Sequence, residues 1–148
     1  MTLVLGIAAA VLFLLYAWYF IRIIKGKPQS FELEILKSLA QWMVQTGPAS
    51  KGRMWLMYWV SLLIEVSYLG MAWLTVSNPF MHYFTITVIA LESYHLLWLG
   101  LSFRQFFAGR KPVAKLFNWR LERMSALTLF SYSLLLLITL AFFQVNSL

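Results

Sequence analysis

Four long apolar segments dominate the chain, at about residues 3–24, 54–76, 80–102 and 124–144. At a rise of about 1.5 Å per residue, each is long enough as a helix to cross a hydrocarbon layer roughly 30 Å thick. The expected architecture is an all-α integral membrane protein with four transmembrane helices, residues 1–148 forming a single domain. Composition agrees: 61% of residues are hydrophobic and 11% charged, whereas a soluble domain has about 45–50% and about 25%. Mean hydropathy is +0.76, and the sequence contains neither Asp nor Cys. The missing cysteines exclude disulfides, thiolate metal sites and thiol nucleophiles.

The first segment is expected to remain as an anchor. Its positive charges, Arg22, Lys25 and Lys27, follow the apolar run, the reverse of a cleavable signal peptide. All 12 basic residues fall in or beside two loops: Arg22, Lys25, Lys27, Lys37, Lys51 and Arg53 at the first, and Arg104, Arg110, Lys111, Lys115, Arg120 and Arg123 at the last. The middle connection, Ser77-Asn78-Pro79, is an uncharged tight turn. The positive-inside rule then places both basic loops in the cytoplasm and both termini outside, with a bacterial cytoplasmic membrane as the expected home.

The first basic loop carries its own helical pattern. Phe31, Ile35, Leu39, Trp42 and Met43 recur at helical spacing between a start signal at Pro28 and Ser30 and a stop at Gly47-Pro48. An amphipathic helix over about 30–46 is expected on the inner surface, either as a membrane-sensing or docking element or as a simple connector. Glu32 and Glu34 suit its first turn, and Lys37 is placed to pair with Glu34. In the second loop, Phe103, Phe106, Phe107, Leu116, Phe117 and Trp119 alternate with basic residues. Beside a membrane that pattern predicts anionic lipid headgroups as the ligands of Arg104, Arg110, Lys111, Lys115, Arg120 and Arg123, in preference to nucleic acid.

Two of the five acids lie inside apolar segments, where an ionisable group costs roughly 2.5–3.5 kcal/mol and commonly marks function. Glu65 and Glu92 are central in the second and third segments and should share a depth; His95 follows Glu92 by one helical turn. Tyr58, Ser61, Glu65, Tyr68 and Thr75 span an arc of about 100°, and Thr85, Glu92 and His95 one of about 80°. Ser125, Thr128, Tyr132 and Thr139 lie within about 60° on the fourth helix. The first segment has no such stripe, only a Gly6-x-x-x-Ala10 spacing suited to close packing. The expected bundle therefore turns the second, third and fourth segments toward a shared polar interior and leaves the first outside them.

Such an interior suits proton or cation movement, with Glu65 and Glu92 as carriers, His95 as shuttle, and Tyr68, Tyr94 and Tyr132 as hydroxyl partners. That activity needs no cofactor. Glu65 with the Glu92-x-x-His95 pair also resembles half a di-iron carboxylate set, which a symmetric dimer would complete. Haem ligation by His82 and His95 is a further possibility, though their faces diverge by about 140°. A packing role is the alternative to all of these, Glu65 bonding to Tyr94 or His95. With no phosphate loop, G-x-S-x-G or H-E-x-x-H, enzymatic chemistry is not indicated. The remaining class is an accessory or anchor subunit of a larger membrane complex; either way, the partners expected are the lipid bilayer and other copies or subunits.

Overall fold

The structure, a computed structural model, describes residues 1–142 and is built from five α-helices with two short 3-10 turns. They are α1 (Thr2–Ile24), α2 (Pro28–Thr46), α3 (Ser50–Thr75), α4 (Pro79–Phe107) and α5 (Trp119–Phe142). Four helices are long and apolar enough to cross a membrane, with α2 running into α3 through the turn Gly47–Ala49. The expected end of the last span, at residue 144, lies outside the described residues.

The helices overrun the hydropathy boundaries, chiefly at the basic end. α3 starts four residues before residue 54, α4 continues five beyond residue 102, and α5 starts five before residue 124. Polarity alone does not end a helix; a capping geometry does. α1 and α4 stop at glycines with left-handed backbone, Gly26 (φ 71°) and Gly109 (φ 76°). At each, paired bonds close the last turn: Lys27 N–H to Arg22 O with Gly26 N–H to Ile23 O, and Arg110 N–H to Gln105 O with Gly109 N–H to Phe106 O. That is the Schellman arrangement, in which a residue without Cβ carries the positive φ. At the opposite end, the Asn78 side chain caps α4 by accepting from Phe80 N–H at 2.9 Å.

α1 packs most extensively on α5, α5 on α4, α4 on α3, and α3 back on α1. The ring of four corrects the expectation that the first helix lies outside the others. Leu5 and Ala9, one residue off the expected Gly6/Ala10 pair, are fully buried. Nearer the basic end, Phe13 and Phe20 both stack on Phe130 of α5.

Apolar burial falls into two clusters. One, at the Asn78 end, joins Leu5, Ala9, Leu69, Val88, Leu129 and Leu136. The other, at the basic end, centres on Met54, Phe103 and Leu116, with Leu39, Trp42 and Met43 of α2 packed against it. The apolar stripe of α2 thus covers the ends of the bundle helices. Glu34 and Lys37 are exposed and form no ion pair among the described residues.

Glu32, by contrast, is 3% exposed. It accepts two bonds from the Arg123 guanidinium, Nε to Oε1 at 2.6 Å and Nη2 to Oε2 at 2.8 Å, and a third from Tyr19 Oη at 2.7 Å. One carboxylate therefore ties α2 to both α1 and α5. A bidentate guanidinium–carboxylate pair is directional as well as strong, and removing one partner strands the other. Glu32→Ala is expected to destabilise the detergent-solubilised protein by about 3 kcal/mol, read as a lowered thermal midpoint, whereas Glu34→Ala leaves the midpoint unchanged.

Candidate functional site

Between the two apolar clusters lies a polar layer. α4 supplies Glu92 and His95, one turn apart, and α5 supplies Glu122 and Ser125 at the same i, i+3 spacing. Residues three apart share a helix face, so each pair is presented as a unit to the other helix. Ser125 Oγ donates to Glu92 Oε1 at 2.7 Å. Glu92 Oε2 faces His95 Nδ1 at 3.2 Å, and His95 Nε2 faces Glu122 Oε1 at 2.9 Å. The result is a continuous Ser–Glu–His–Glu chain from mid-bundle toward the basic end, built within one chain from two helices. Glu92 is 2% exposed and His95 7%; Glu122 is less covered.

Glu122 belongs to this group although hydropathy places it in a loop. The signal was its three-residue spacing from Ser125, which matches that of Glu92 to His95. The aromatic pair Tyr16 and Tyr19 of α1 is a second omission. Tyr16 and Tyr19 border a small cavity of about 190 Å³ together with His95, Glu122 and Trp119, so the first helix does contribute polar groups to the interior.

Glu65 occupies the same layer on α3, with its carboxyl group beside that of Glu92. Its Oε2 is buried and takes no hydrogen bond from any described residue. It borders two clefts: one of about 640 Å³ between α3 and α4, which Glu92 also lines, and one of about 590 Å³ between α1 and α3, shared with Tyr16. Two tyrosine hydroxyls tie α3 to its neighbours on either side of Glu65. Tyr58 Oη donates to Leu96 O at 2.8 Å, passing against Gly100, and Tyr68 Oη meets Ser133 Oγ at 2.9 Å.

The expected tyrosines separate. Tyr68 and Tyr132 are buried toward the Asn78 end, in edge contact with each other; Tyr132 Oη bonds to Thr85 Oγ1 at 2.8 Å. Neither bonds to the Glu–His–Glu group. Tyr94 is 61% exposed on the outer side of α4, which removes it from the interior group expected for it.

Nor is the expected metal set of Glu65, Glu92 and His95 assembled within the chain. Both ring nitrogens of His95 face carboxylates, and no group of three or more His, Asp or Glu side chains suited to a metal ion occurs among the described residues. His82, the second candidate haem ligand, stacks on Trp73 and directs Nε2 to Val76 O at the Asn78 end.

The basic residues of the second loop also divide. Arg104, Arg110, Lys115 and Arg120 are exposed, while Arg123 is held by Glu32. Lys111 donates to Ser102 Oγ at 2.9 Å and lies over the Trp98 ring. The loop aromatics Phe106, Phe107 and Phe117 pack into the basic-end cluster. The alternation that suggested headgroup contact along the whole loop is partly internal packing.

The chain matches no known family profile, no curated protein sequence and no solved structure. The site's chemistry therefore stands on its geometry. Ser125→Ala removes a short bond to a buried carboxylate and is expected to cost about 1–2 kcal/mol, lowering the thermal midpoint in detergent; Tyr94→Phe leaves it unchanged.

Proposed function

We propose that this protein is an integral membrane protein that moves protons or small cations through the Glu92–His95–Glu122 chain, with Glu65 as the neighbouring acid. The observation that carries this reading is the unbroken sequence of short contacts, 2.7, 3.2 and 2.9 Å, through Ser125, Glu92, His95 and Glu122. Ionisable groups inside a membrane bundle are costly, and they recur in ion and proton pathways.

An imidazole set between two carboxylates relays protons by taking one at one ring nitrogen and giving one up at the other. His95 accepts at Nε2 from Glu122 and releases from Nδ1 to Glu92. The cavity beside Tyr16 and Tyr19 borders His95 and Glu122, a route by which water reaches the chain from the basic end. From Glu92 the next acid is Glu65, which lines the same cleft. The basic end faces the cytoplasm of a bacterial cell in this reading. There the exposed Arg104, Arg110, Lys115 and Arg120 meet anionic headgroups.

Purified protein in liposomes containing a pH-sensitive dye tests the relay. An imposed potential is expected to drive proton flux, and Glu92→Gln and His95→Gln each reduce it about tenfold or more. Wild-type flux in both variants, or no flux of protons, Na⁺ or K⁺ through the native chain, overturns the assignment. Orientation has its own test, since the chain has no Cys. In intact cells, Ser77→Cys is expected to react with a membrane-impermeant maleimide, and Ala114→Cys only after the membrane is opened.

A further inference from the structure

The α3/α4 cleft has the chemistry of a binding site. Its volume of about 640 Å³ lies in the range of small-molecule pockets, roughly 300–1,000 Å³, which are mostly apolar with a few placed polar groups. Leu62, Leu69, Ile89 and Leu96 supply apolar wall, and Glu65 and Glu92 are its acids. Trp59, Val66 and Leu97, at its margin, are exposed on the outside of the bundle. The cleft therefore opens sideways, toward the acyl chains of a surrounding bilayer.

The two acids differ in what they have left to offer. Both oxygens of Glu92 are engaged, one by Ser125 and the other by His95. Glu65 Oε2 is buried with no donor among the described residues. A buried acceptor without a partner is unfavourable, and an unaccompanied charge at this depth more so. Both conditions are relieved by a ligand that brings positive charge and covers the apolar walls. Two other nearby hydroxyls do not compete for that place: Tyr58 is turned to Leu96 O and Tyr68 to Ser133.

The geometry points to the α3/α4 cleft as a site for a lipophilic cation, entering from the bilayer and held by the Glu65 carboxylate between apolar walls. Acyl chains and neutral lipids fit the walls but leave the carboxylate unmet. A lipophilic anion of the same shape is repelled. Gly70 gives a second handle, because it lines the cleft in helical backbone and a Cβ there would meet nothing within 4 Å. The open space around this position admits a larger side chain, which is expected to narrow the cleft.

The inference rests on the proposed ion-handling role for its functional meaning, but its test is separate from proton flux. Calorimetric titration of the detergent-purified protein with tetraphenylphosphonium is expected to give one saturable site per chain, with a Kd on the order of micromolar. Tetraphenylborate, an anion of matching shape, is expected to show no saturable binding. Glu65→Gln and Gly70→Phe are each expected to weaken phosphonium binding about tenfold or more, while Tyr94→Phe, on the outer side of α4, retains it. Equal binding of the two tetraphenyl ions, or native affinity in both cleft variants, overturns the site. Flux without phosphonium binding removes the cleft alone. Binding without flux removes the relay alone and leaves the cleft standing.

Discussion

A carboxylate placed among apolar helices has to be met by hydrogen-bond donors or by opposite charge, and here that requirement sets how the helices are aligned. Contacts among Leu, Ile and Phe are nearly indifferent to a sliding helix, and between helices in lipid they lack the hydrophobic drive present in water. Polar contacts are not indifferent. Glu92 reaches Ser125 only at one register of α4 on α5, and His95 reaches Glu122 at that same register. Glu32 does the equivalent for α2, holding it against Tyr19 of α1 and Arg123 of α5. The bundle is thus two apolar clusters joined through polar layers that specify their relative placement.

α3 is the helix this scheme secures least around its centre. Its ties at Tyr58 and Tyr68 flank Glu65, and between them a cleft lies on each side of the helix. The unmet acceptor and the open volume occur together. The side chains that cover Glu65 Oε2 are apolar or, like Glu92, already engaged, so they bury the oxygen without donating to it. That combination distinguishes Glu65 from Glu92 although the two share a depth and a residue type: both oxygens of Glu92 are engaged, and Glu65 Oε2 has no donor among the described residues.

Much of the fold was legible because its cues are local. The four apolar runs, the Ser77-Asn78-Pro79 turn, and the helix between Pro28 and Gly47 all appear where composition and spacing put them. The first helix ends at Ile24 as its apolar run does, but the end of α4 was less legible, since Gly109 stops that helix by backbone conformation beyond the expected boundary at residue 102. Glu122 was hidden by the same mismatch: it sits inside α5 although the hydropathy boundary falls after it. Arg123 looked like one more loop cation because its partner, Glu32, is 91 residues away. Tyr94 shows the converse error, a polar side chain beside two functional candidates in sequence but turned by the helix to the outside.

The sequence settled how many helices there are, how long and apolar they are, which loops carry the positive charge, and that Glu65, Glu92 and His95 lie at mid-helix. Those properties follow from the chain's own backbone and composition, because a helix satisfies its hydrogen bonds internally whatever surrounds it. Tertiary structure decided the rest: that α1 closes the ring, that His95 is shared between Glu92 and Glu122, that Arg123 turns inward, and that Glu65 keeps a free oxygen beside a cleft. Each of these depends on the rotation and depth of one helix against another. That relation comes from side chains distant in sequence meeting at hydrogen-bonding distance, and no periodicity within a single segment records it.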